Sequence, residues 1–117
     1  MSGPFKDEDQ IRKVVEGFES CTTAKEGFRH KDHLTVAVWY LRHSSRDEAL
    51  GRMRESLHRF INHHGINPQK YQEDVTVAWI DAIHEMLLNL DGESSTVEAT
   101  NIIHERFGTS RIESKVK

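Results

Sequence analysis

The sequence predicts an all-α fold, a single-domain bundle of about five helices. Apolar residues recur at helical spacing almost throughout the chain. Two Ser-x-x-Glu capping boxes and well-placed glycines mark where helices begin and end. The connections between periodic stretches are short, and 117 residues suffice for one core without staples. The core is expected over about residues 7–108 of the single domain 1–117, with both tails frayed.

Taken in order, Ile11, Val14, Val15 and Phe18 form one face of a first helix from about Asp7 to Ser20. Thr22 to Arg29 carries Gly27 and polar residues and reads as a loop. The spacing then predicts a second helix from about Lys31 to Arg42, with Leu34, Ala37, Val38 and Leu41 facing inward and Trp39 and Tyr40 widening the apolar surface. Ser45 and Glu48 can exchange capping hydrogen bonds at the start of a third helix, whose stripe runs Leu50, Met53, Leu57, Phe60, Ile61 and His64. Gly65 ends it, because glycine accepts the left-handed conformation at little cost. A fourth helix starts between Tyr71 and Asp74 and continues to Leu90. Its stripe of Val75, Trp79, Ala82, Ile83, Met86 and Leu90 outweighs the local β-branched run Val75-Thr76-Val77. After a turn at Asp91-Gly92-Glu93-Ser94, a second capping box at Ser95 and Glu98 opens a last helix to about Phe107, stopped by Gly108.

Sixteen basic residues against nineteen acidic ones give a formal charge of -3. No basic recognition face is concentrated anywhere, so nucleic acid is not an expected partner. No apolar run approaches the roughly 18 residues of a transmembrane helix, no membrane partner is expected, and the charged N-terminus is no signal peptide. A single cysteine, Cys21, suits a reducing compartment, and a cytoplasmic location is expected. Cys21 lacks an evident activating partner for nucleophilic chemistry. There is no Gly-rich phosphate loop and no Gly-x-Ser-x-Gly elbow.

The chemistry in the chain lies in its histidines. His43, His58, His63, His84 and His104 fall at polar sides, borders or ends of helices, where structural or surface roles are expected. His30 and His33 differ, because a spacing of three places both rings on the face continued by Ala37 and Leu41. Asp32 between them can cap the helix or orient a neighbour. His64 likewise prolongs an apolar stripe to the end of its helix. If the second and fourth helices pack side by side, Glu73 can approach the pair. Two imidazoles and a carboxylate would then form a facial set suited to zinc or iron. By spacing alone, a three-residue histidine pair is more often a hydrogen-bonded cap and core-edge pair than a metal site.

Phe28-x-His30-x-Asp32-His33-Leu34-x-x-Ala37-x-x-Tyr40-Leu41, followed by Tyr71-x-Glu73-x-x-Thr76-x-x-Trp79, resembles a widespread bacterial family of small helical proteins. Its members pair an aromatic-x-His-x-x-His-Leu segment with a later Tyr-His-Glu-Thr-x-Thr segment. The resemblance covers about Phe28 to Leu87. It implies a site around His30, His33 and Glu73, with Tyr71, Thr76 and Trp79 beside it, and names no reaction. Two positions depart from the pattern: Gln72 stands where the family has histidine, and Asp74 where it has its first threonine. An amide oxygen binds transition metals weakly, so either Glu73, Asp74 or His64 completes a metal site or no metal is bound.

Two classes of function follow. In the first, a metal-binding protein or small enzyme, His30, His33 and Glu73 serve as ligands or acid–base groups. Tyr71 and Thr76 then orient substrate or water. In the second, a non-catalytic module binds a small molecule or partner helix through Trp39, Tyr40, Tyr71 and Trp79, with the histidines and His64 at the rim. Two-fold dimers are common among small bundles, so a homodimer is compatible with either, although nothing in the sequence selects it.

Overall fold

The computed structural model describes residues 5–90 and 94–109. The expected turn at Asp91-Gly92-Glu93 and the expected frayed ends at 1–4 and 110–117 lie outside the described residues. The described residues form five α-helices, α1 (Glu8–Glu19), α2 (His30–His43), α3 (Arg46–His63), α4 (Glu73–Leu88) and α5 (Thr96–Phe107). Short 3-10 turns at Lys25–Gly27 and Pro68–Lys70 sit in the loops before α2 and α4. The all-α bundle is therefore as the periodicity predicts. No helix among the described residues is long and apolar enough to cross a membrane.

α1 opens on Asp7, whose carboxylate accepts from the Gln10 amide at 3.0 Å. It buries Ile11, Val15 and Phe18. The chain then folds back tightly, with the Thr22 and Thr23 amides both donating to the Gly17 carbonyl. A Cβ at residue 17 would lie 2.4 Å from Thr23 Oγ1, so this close return is made over a glycine. Phe28 at the end of the loop stacks on Phe18 with ring centroids 4.2 Å apart and leans on Phe60 of α3 at 5.2 Å. That aromatic cluster fixes where α2 starts.

α2 is the central element and touches each of the other four helices. A helix surrounded by neighbours is buried all round rather than along one stripe. Leu34, Thr35, Val36, Ala37, Val38 and Tyr40 are accordingly all buried, whereas Leu41, expected inward, is only partly covered. The two polar members are satisfied. Thr35 Oγ1 donates to the Lys31 carbonyl at 2.9 Å and accepts from His104 Nε2 at 2.7 Å. The Tyr40 hydroxyl donates to Glu19 Oε2 at 2.6 Å and lies 3.1 Å from Ser56 Oγ.

α3 begins with the expected capping box, Glu48 N donating to Ser45 Oγ at 3.2 Å and Ser45 N to Glu48 Oε1 at 3.1 Å. It ends at His64 and Gly65, the latter at φ +65°. α5 repeats the arrangement at Ser95 and Glu98. Asn101 then clamps the N-terminal segment, accepting from Phe5 N at 3.2 Å and donating to Phe5 O at 3.0 Å.

α4 differs from expectation in depth. Val75-Thr76-Val77 is helical, but only Ile80 and Ile83 of the helix are fully buried. Trp79, Ala82 and Met86 stay partly exposed, and Leu88 is 71% exposed. α4 lies against α2 and, more extensively, α3, at the edge of the bundle.

Candidate functional site

The start of α2 is built on a local capping interaction. Arg29 is extended, and its amide donates to Asp32 Oδ2 at 2.9 Å, so Asp32 caps the helix that it helps begin. His30 is therefore the first helical residue and His33 follows one turn later.

The two rings have different surroundings. His30 Nε2 donates to the Phe107 carbonyl at 2.8 Å, joining α2 to the end of α5. Its ring lies 5.0 Å from that of Trp79, which in turn meets Phe107 edge-on at 5.5 Å. His33 packs edge-on against Phe28 at 4.4 Å. Burial, and then the nearby His30, lower its pKa to about 4, against the weaker opposing pull of Asp32 and the Arg29 carbonyl. His33 is thus a neutral imidazole at neutral pH.

Between α2, α3 and α4 lies a cavity of about 320 Å³. Its floor is apolar and buried, formed by Leu34 and Ala37 of α2, Met53 and Leu57 of α3, and Ile80 and Ile83 of α4. Phe28, Phe60, His30, His33 and Trp79 form the sides, and Lys70, Tyr71, Gln72 and Thr76 the rim. Lys70 and Gln72 are exposed, whereas Tyr71 and Thr76 are partly covered.

His30, His33, Tyr71, Thr76 and Trp79, drawn from both sequence motifs, therefore line one cavity. Glu73 and His64 do not. Glu73 is exposed and outside the wall, its two carboxylate oxygens each receiving Arg54 Nε at 3.0 Å, with a further close contact to Arg54 Nη2. It also accepts from the Tyr71 hydroxyl. Arg54, then Tyr71, hold the Glu73 carboxyl below its usual pKa. The expected approach of Glu73 to the histidine pair fails because α4 leans on α3, where Arg54 competes for the carboxylate. His64 caps the end of α3 and packs on Phe60 and His63, with Nε2 buried and without a hydrogen-bond partner.

The donor set expected for zinc or iron is consequently not assembled. Among the described residues, no group of three or more His, Cys, Asp or Glu side chains could hold a metal ion. With Glu73 bound to Arg54, and only the weakly ligating amide of Gln72 nearby at the rim, the residues present do not fit such a centre.

Of the aromatic residues expected at a binding surface, Tyr71 and Trp79 reach the cavity. Tyr40 is 1% exposed and belongs to the core. Trp39 faces elsewhere, against His43 and under the Arg12 guanidinium. Sequence reasoning missed Lys70 and Arg54. Lys70 ends the 3-10 turn before α4 and Arg54 lies within α3, and no motif or periodicity marks either. It also placed His104 at a helix border, whereas the ring is buried between Thr35 and Phe5. Compared with protein-family models, curated proteins and solved structures, the chain matches none.

Proposed function

We propose that the protein is a small-molecule-binding helical module whose ligand occupies the cavity between α2, α3 and α4. The single observation that carries this reading is the apolar, largely buried floor beneath a polar rim, walled by residues of both motifs. Pockets that hold small molecules combine such a body with a few placed polar groups. Its walls are apolar side chains of three helices that closer packing would bring into contact with one another.

In this reading the neutral His33 imidazole offers a hydrogen bond within an otherwise apolar wall, and His30 holds the wall to α5. The protein binds without turnover. The binding-module alternative is favoured over metal-assisted chemistry because Glu73, the third donor that chemistry needs, is committed to Arg54.

Titration of isotope-labelled protein with naphthalene and with decan-1-ol, followed by NMR, tests the reading. Saturable shifts should concentrate at Ala37, Met53, Trp79 and Ile83. Shifts that never saturate, or that scatter over the surface, would sink it.

A further inference from the structure

The polar groups around the cavity are nearly all committed within the protein. Tyr71 gives its hydroxyl proton to Glu73, Thr76 gives its own to the Gln72 carbonyl at 3.1 Å, and His30 Nε2 donates to Phe107. Glu73 and Arg54 neutralise one another outside the wall. Asp74, the other acid at the start of α4, is also outside the wall, and its Oδ1 accepts from the Val75 amide at 3.0 Å.

Two donors at the rim stay uncommitted. The Lys70 ammonium forms no ion pair among the described residues. The Gln72 side chain, at the start of α4, makes no capping hydrogen bond. Both are exposed residues of the cavity wall. The floor opposite them offers only carbon and the Met53 sulfur.

We infer that the cavity takes an amphipathic monocarboxylate, its aliphatic or aromatic body on the Leu34, Ala37, Leu57 and Ile83 floor and its carboxylate at Lys70 Nζ and the Gln72 amide. This rests on the pocket reading above. One ammonium and one amide match a single negative charge with two acceptor oxygens. A phosphate monoester, with more charge and more acceptors, would leave oxygens unmatched at a rim whose wall has no arginine among the described residues. An alkylammonium would meet Lys70 as a like charge.

The probes are decanoate, decan-1-ol, decylamine and decyl phosphate, each kept below its micelle concentration and titrated at neutral pH. In the Trp39→Phe protein, Trp79 is the sole tryptophan and reports on the cavity wall. Decanoate should bind about ten-fold more tightly than decan-1-ol, as expected for one charge-assisted contact. Lys70→Gln should bring decanoate down to the alcohol and leave the alcohol unchanged, and Lys70→Arg should retain the preference. Added salt should weaken decanoate alone.

Equal binding of decanoate and decan-1-ol, or tighter binding of the amine or the phosphate, overturns the carboxylate assignment while the pocket stands. An undiminished decanoate preference in Lys70→Gln also overturns it. Saturable binding by none of the four overturns the pocket reading itself.

Discussion

His30, the first residue of α2, donates from Nε2 to the carbonyl of Phe107, the last residue of α5, at 2.8 Å. The two positions are 77 residues apart, and the bond closes one side of the cavity wall by fixing α5 behind Trp79. A carbonyl only accepts, so the proton sits on Nε2, and in the neutral ring Nδ1 is the acceptor nitrogen.

Removing that donor should loosen the α2–α5 junction. His30→Ala deletes a part-buried hydrogen bond and the ring contact with Trp79, a loss of about 1–2 kcal/mol. His30→Gln, whose amide can still donate, should lose less. Urea unfolding monitored by circular dichroism measures both. A His30→Ala protein as stable as the parent would show that the bond contributes nothing.

Stability should fall as the solution is acidified from neutrality, before the carboxylates titrate. His33 has its pKa lowered from 6.5 to about 4 in the fold, so below pH 6.5 the unfolded chain takes up a proton that the folded protein refuses. The stability present above pH 6.5 is lost progressively down to about 4, amounting to about 2 kcal/mol at pH 5. His104 shifts in the same direction, first by burial and then by Lys31, and adds to the slope. Its Nε2–H is given to Thr35 while Nδ1 is buried without a partner, so a second proton there would have nowhere to donate. Glu48 and Glu73 have lowered pKa values and add losses only at more acid pH, below the ordinary carboxyl range of about 4.5. Unfolding curves at pH 7.5 and 5 should therefore differ, and His33→Gln, which cannot titrate, should narrow the difference. An equal drop in His33→Gln would move the effect to other groups.

How much of this was legible in the sequence depends on how far apart the interacting residues lie. Ser45 with Glu48 and Ser95 with Glu98 are three residues apart, and both capping boxes form as read. His30 and His33 are equally local, and both do line the cavity. Glu73 failed as their neighbour because its partner, Arg54, sits 19 residues earlier on another helix, where no local pattern marks it. Thr35 and His104 are 69 residues apart, and their mutual satisfaction is what allows two polar side chains inside the bundle. The cavity was the least legible feature. Met53, Leu57 and Ile83 carry the same helical spacing whether they meet another side chain or an open space.

The end of α3 provides a backbone test. Gly65 holds φ +65°, the Ile66 amide reaches back to the Ile61 carbonyl at 3.0 Å, and the chain turns there toward Lys70 and Tyr71. A Cβ at this position meets no neighbour, so the cost of Gly65→Ala is conformational alone. It should be about 1–2 kcal/mol, with Gly65→Asn milder because asparagine tolerates the left-handed region. Thermal unfolding of the two variants gives the order. An alanine variant as stable as the parent would show that the turn relaxes into another conformation.

Ala37 separates stability from binding. It is 3% exposed, lies on the central helix, and contributes its methyl group to the cavity floor. A larger side chain there can enter existing space without displacing a neighbour, unlike most enlargements within a packed core. Ala37→Leu should stabilise the free protein by about 1–2 kcal/mol through added buried apolar area. It should also weaken saturable binding of decan-1-ol and naphthalene, because the leucine takes up part of the cavity volume. Loss of stability would mean that the floor at Ala37 is already packed. Binding undiminished in a stabilised Ala37→Leu protein would place the ligand outside the cavity, so unfolding and ligand titration must be measured on the same sample.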